Sequence, residues 1–107
     1  MVKIEKRRYL LLKIESDLPI DKKLMFNIIQ DSVLRFFGEY GASKANLKVI
    51  KVLPEKKEAI IRSSHIMVEK VRASIASITS INGKPATIHV ENISGTIKAL
   101  FKKTNLN

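Results

Sequence analysis

Cysteine is absent from the 107 residues, which excludes disulfides, thiol nucleophiles and cysteine-ligated zinc and favours an intracellular setting. No apolar run approaches the ~18 residues of a membrane span, and the opening MVKIEKRRYL lacks the apolar segment of a signal peptide. A soluble, cytoplasmic protein is expected. Glycine is scarce at four residues, so no phosphate-cradling loop can be built; GEYG matches neither the P-loop nor the dinucleotide pattern. Histidine occurs only at His65 and His89, with no pair at helical spacing and no tight acidic cluster, so metal-ligand spacing is missing. A nucleophile elbow is missing as well.

Acidic residues are also few. Ten Asp and Glu face 20 Lys and Arg, a net charge of +10. A domain this small with that surplus is suited to polyanions. The alternative is a solvated, thermophile-like surface, but such surfaces balance Lys with Glu, and this one does not. The surplus is uneven. Lys3, Lys6, Arg7, Arg8 and Lys13 meet only Glu5 in the first 13 residues, and five lysines meet only Glu55 between 44 and 57. Residues 17–39 instead carry Asp17, Asp21, Asp31 and Glu39 against Lys22, Lys23 and Arg35. One side for a polyanion and another for a different partner would produce this pattern.

What is present reads as a single globular domain over residues 1–107, since 45% hydrophobic and 28% charged residues are ordinary for a packed fold. RRYLLLKIES alternates as a strand, with Leu10, Leu12 and Ile14 on one side; Leu11 on the other implies an outer face not fully wet. After Pro19, Asp21 is a candidate N-cap for a helix over 22–37, carrying Met25, Ile28, Ile29, Val33, Phe36 and Phe37 at helical spacing. Gly38 is expected to end that helix in a left-handed turn, and Gly41 to turn the chain onward. LKVIKVL and EAIIRSSH form a hairpin across PEKKE. IMVEKVRASIASI is an amphipathic helix, INGKP a turn, ATIHVENI a last strand, and TIKALFKK a short C-terminal helix over about 96–103. The order βαββαβ plus a helix predicts an α+β, ferredoxin-like fold: a four-stranded antiparallel sheet with two helices on one face.

Chemistry is sparse on this frame. Two histidines with a lysine could in principle cleave RNA by acid–base catalysis, but nothing near them in sequence orients them, and polar strand residues are the simpler reading. RNA-recognition modules of this architecture stack bases on aromatics of the central strands. Here the first strand offers only Tyr9 and EAIIRSSH offers none. RNA is therefore expected to be held through phosphates and shape, by Arg7, Arg8, Arg62, Lys70, Arg72, Lys98, Lys102 and Lys103. Each alone could equally be a solvated charge. Leu11 and one of Ile60 and Ile61 are expected to meet the C-terminal helix or another protein. Gly38 and Gly41 are read as keeping FFGEYGAS compact, so that Phe37 and Tyr40, with Leu11, serve a protein contact.

IIRSSH, the following VEKVRASIASI and above all VENISGTIKALFKK resemble the Pop-five family, the component 2 subunits of archaeal ribonuclease P. RRYLLLKI is similar to that family's first strand, FFGEYGAS to its glycine-bearing loop and SGTIK to its link into the terminal helix, a likeness spanning Arg7 to about Lys103. The resemblance implies a ribonucleoprotein subunit that is not itself catalytic, within an endonuclease (a hydrolase) that removes the 5′ leader from precursor tRNA. It implies that the RNA subunit and its bound Mg²⁺ do the hydrolysis, with no cofactor in the protein. It further implies pairing with ribonuclease P protein component 3 and self-association within a heterotetramer. A metal-independent ribonuclease using His65 or His89, or another ribosomal-type RNA-binding protein, are the alternatives.

Overall fold

The computed structural model describes residues 6–104, with side chains as far as Leu100. Strand β1 (Arg7–Glu15) sends Leu10, Leu12 and Ile14 into the main core and Tyr9 and Leu11 to the opposite face. The two-residue alternation of a strand does this without further instruction. The chain then turns through Pro19 and enters α1 (Lys22–Ala45), where Asp21 is the N-cap: its Oδ1 accepts the Leu24 N–H at 2.8 Å.

Helix α1 departs from the sequence expectation. It does not stop at Gly38 but kinks there, at φ 71° and ψ −176°, and resumes helical geometry as far as Ala45. That region of backbone space is almost closed to residues with a Cβ, so glycine is required. The left-handed closing turn falls instead at Asn46 (φ 47°, ψ 54°), whose N–H reaches the Ala42 carbonyl at 3.3 Å. Gly41 does not turn the chain. It is buried inside the second helical segment, and a Cβ placed on it would lie 2.5 Å from the Phe37 Cβ across the kink.

Strands β2 (Lys48–Leu53) and β3 (Glu58–Ser64) form the expected hairpin. His65 lies outside the strand and opens a 3₁₀ turn, His65–Met67, that leads into α2 (Val68–Ala76). The INGKP turn is itself a small hairpin, β4 (Ser80–Ile81) with β5 (Lys84–Pro85), before β6 (Thr87–Ser94) and α3 (Ile97–Thr104). The sheet runs β2-β3-β1-β6 with every neighbouring pair antiparallel, which is the ferredoxin-like order. Register shifts at Val49/Lys51 in β2 and opposite Leu11/Leu12 in β6 place a bulge in each edge strand, a device that discourages stray edge pairing.

Helices α1 and α2 cover one face through Met25, Ile29, Val33, Val71 and Ile75, packed on Leu10, Leu12, Ala59 and Ile61. Their approach is set by serines. Ser32 Oγ donates to the Ser74 carbonyl at 2.7 Å, and Ser77 Oγ donates to the same carbonyl at 2.6 Å. Small side chains that hydrogen-bond across the interface allow close packing without an unsatisfied polar group. The other face is covered at its centre by α3. Leu100 sits on Leu11 and Ile60, with Tyr9 and Ile50 at the margin. Thr96 Oγ1 accepts the Ala99 N–H at 3.1 Å and starts that helix. No described helix is long and apolar enough to cross a membrane.

Candidate nucleic-acid and partner interfaces

The sheet divides the predicted cations between two layers. Tyr9 and Leu11 lie on the α3 face, and alternation turns Arg8 toward the helix face. Arg7, the first residue of the strand, is exposed opposite Ser64, which is buried and donates its Oγ to the Lys44 carbonyl of α1 at 2.7 Å. Arg62 is the direct cross-strand partner of Tyr9, so it also belongs to the α3 face. Lys98 is exposed in the first turn of α3. Lys70 and Arg72 are exposed on α2, in the opposite layer. Arg72 lines a shallow cleft with Ile75, Thr87 and His89. The side chains of Lys102 and Lys103 lie outside the described residues. The predicted set is therefore two cationic surfaces rather than one.

Among the described residues these charges have almost no internal counterions. Among the described residues the one ion pair is His89 Nε2 with Glu15 Oε1 at 3.7 Å. Both side chains are exposed, so its worth to stability is small. Arg8 donates to the Arg7 carbonyl at 3.1 Å and passes close over Gly95, a local contact that leaves its charge uncompensated.

The two histidines are at opposite ends of the sheet. The His65 N–H bonds the Lys6 carbonyl, next to the Arg7–Ser64 pair, whereas His89 lies opposite Lys13. Six residues of strand separate those positions, about 20 Å. They cannot act on one phosphodiester together. Among the described residues no three His, Asp or Glu side chains converge as metal ligands would.

The kink in α1 builds a different kind of surface. Phe36 and Tyr40 are 54% and 73% exposed, and Ile66 on the adjoining 3₁₀ turn is 68% exposed. Phe37 is half-buried, its ring 6.3 Å from that of Phe36. Lys44 Nζ stands 5.0 Å from the Tyr40 ring centre and Lys70 Nζ 5.7 Å from that of Phe37. Both are within cation–π range. Helical periodicity assigned Phe36 to the core, but it is 54% exposed at the end of the first helical segment, two residues before the kink at Gly38. Leu11, by contrast, is 2% exposed beneath Leu100 and offers no free surface in this conformation. Phe36 adjoins the candidate Phe37, and Ile66 is exposed on the neighbouring 3₁₀ turn, while Leu11 is buried under Leu100.

Fold and surface together define a ferredoxin-like α+β protein with uncompensated cations on both layers and an aromatic patch at a helix kink. The chain belongs to the Rpp14/Pop5 family, whose model matches residues 8–105. It is 36% identical over 98 residues to a Methanosarcina barkeri protein named ribonuclease P protein component 2, covering 92% of this chain and 71% of that one. A Pyrococcus abyssi protein of the same name is 36% identical over 99 residues, covering 92% and 84%. One from Methanobrevibacter smithii is 37% identical over 102 residues, covering 89% and 85%. A chain in the cryo-EM structure of yeast ribonuclease MRP shares the fold with a TM-score of 0.67 at 18% identity, covering 97% of this chain and 92% of that one.

Proposed function

We propose that this chain is a protein subunit of ribonuclease P that supports the catalytic RNA in removing the 5′ leader from precursor tRNA. The observation that carries the reading is the family match across residues 8–105, together with relatives named ribonuclease P protein component 2. The electrostatics point the same way. RNA helices brought together to form a catalytic core repel one another, and a +10 chain with few ion pairs among its described residues would lower that repulsion. Mg²⁺ on the RNA subunit would supply the Lewis acid and activate the attacking water. The protein's residues would hold phosphates and fix the shape of the RNA. The patch of Phe36, Phe37, Tyr40 and Ile66 has the aromatic content of a protein contact, and ribonuclease P protein component 3 or a second copy within a heterotetramer is its proposed occupant.

The test is reconstitution. Ribonuclease P RNA and component 3 are assembled with and without this chain, and precursor tRNA processing is followed across a Mg²⁺ titration. The chain is expected to lower the Mg²⁺ needed for half-maximal processing and to cleave nothing alone. An unchanged requirement at every Mg²⁺ concentration, or leader removal by the protein without RNA, would refute the proposal.

A further inference from the structure

We propose that Lys48 and Tyr9 complete, with Arg62, a site for a single-stranded RNA segment at the margin of α3 on the second sheet face. The inference rests on the RNA-binding reading above and says where on the molecule one strand is held. Strand register carries it. Lys48 pairs with Arg62, Arg62 with Tyr9, and Tyr9 with Ser94, so these residues form one line across all four strands. Directly opposed residues of antiparallel strands project to the same face. The contact of Tyr9 with the Leu11–Ile60–Leu100 cluster identifies it as the α3 face.

The next line along the strands, with Ile60 and Leu11, is the one Leu100 covers. The Tyr9 line therefore lies at the margin of α3, buried at Ser94 and opening toward Lys48. Lys48 is exposed, and Tyr9 and Arg62 are half-buried. Neither cation has an ion-pair partner among the described residues. The acids of β1 and β3, Glu15 and Glu58, are at the far ends of their strands, Glu58 opposite Lys13. Like charges set side by side on neighbouring strands cost stability, and a polyanion removes that cost.

The spacing suits a strand of RNA. Arg62 and Lys48 are neighbours across about 5 Å, within reach of successive phosphates for side chains this long. Arginine can take a phosphate with two parallel hydrogen bonds, and lysine adds a point charge. Tyr9, half-buried beside Arg62, is where one unpaired base would lie. A duplex keeps its bases inside its own stack and out of reach of a ring set into a sheet. A single strand is the form that fits. This revises the sequence expectation: the centre of the sheet is closed by α3, yet one margin keeps an aromatic in line with two cations.

The chain's own composition makes the test clean. It has no tryptophan and only two tyrosines, at 9 and 40. The full chain carrying Tyr40→Phe has Tyr9 as its sole tyrosine, whose emission is read on excitation beyond the phenylalanine band. It is titrated with a short oligoriboadenylate and with a blunt RNA duplex of equal length. Circular dichroism verifies the fold of each variant. The single strand is expected to quench Tyr9 emission and the duplex to leave it unchanged. Lys48→Gln and Arg62→Gln are each expected to lower the slope of log affinity against log salt by about 0.7, one phosphate on a single strand. Tyr9→Leu is expected to weaken binding roughly tenfold with the slope intact. RNA binding that persists with unquenched Tyr9 and an unaltered Lys48→Gln slope overturns the site while leaving the RNA-binding reading standing. Equal quenching by the duplex overturns the single-strand assignment. Failure of the parent chain to bind either RNA overturns both readings.

Discussion

Replacing Gly41 with alanine isolates the geometry of the α1 kink, because two opposing effects of known size meet at one atom. In an exposed helix interior the change would stabilise by about 1 kcal/mol through backbone propensity. Here the new Cβ arrives 2.5 Å from the Phe37 Cβ. In an unbroken helix, residues four apart keep about 5–6 Å between Cβ atoms, so the clash is created by the turn at Gly38. Phe37 cannot escape by changing rotamer, since its Cβ is fixed to the backbone. The kink itself must open, and overpacking of this kind costs about 1–3 kcal/mol. Because relief requires main-chain movement, the upper part of that range applies, for a net loss of about 2 kcal/mol after the propensity gain. For a domain of this size that lowers Tm by on the order of 10 °C, measurable by thermal circular dichroism. A Tm equal to or above that of the parent would show that the two helical segments do not cross this closely.

Three further outcomes are expected. Leu100→Ala removes the buried anchor of α3 and should cost about 2–5 kcal/mol, with amide exchange rising in α3 and less in α1; uniform loss of protection would refute an independently docked helix. Ser32→Ala deletes the donor to the Ser74 carbonyl and should cost about 1 kcal/mol in urea unfolding, and an unchanged midpoint would show that this bond does not hold α1 to α2. Tyr40→Ala, at a site 73% exposed, should shift stability by no more than about 0.5 kcal/mol yet weaken assembly with component 3 or with itself in sedimentation runs; assembly equal to the parent would remove the patch from the interface.

The parts of this fold that were legible in the sequence are those written in local signals. Asp21 was readable as a cap because its side chain and the amide it serves are three residues apart. The strand order followed from periodicity and from the handedness of crossovers. Leu11 was informative as an exception: the middle of three consecutive leucines, out of step with Leu10 and Leu12, implied a covered second face, and α3 covers it. What could not be read is non-local. Gly38 and Gly41 look alike in sequence, yet the first is needed for its positive φ and the second for its contact with Phe37. No local rule separates those reasons. Ser32 sits at an inward helical position where a hydrophobic residue would be expected, and its partner is 42 residues away. Lys48 carried no signal as a binding residue until register placed it beside Arg62.

The distribution of charge relative to α3 suggests why the terminal helix belongs to the fold. An uncovered sheet of this topology would expose Leu11, Ile60, Ile50 and Tyr9 as one apolar surface, which invites association with any chain bearing a similar face. Docking α3 removes the centre of that surface from water while leaving Lys48 exposed and Arg62 half-buried beside it. Hydrophobic stabilisation and cation presentation therefore share one sheet face without competing for the same residues. The opposite layer repeats the division, since α2 buries Val71, Ser74 and Ile75 and exposes Lys70 and Arg72. With both layers cationic, the proposed RNA-supporting role would place the chain between two RNA segments, reducing the repulsion of each for the other, which a single charged face could not do.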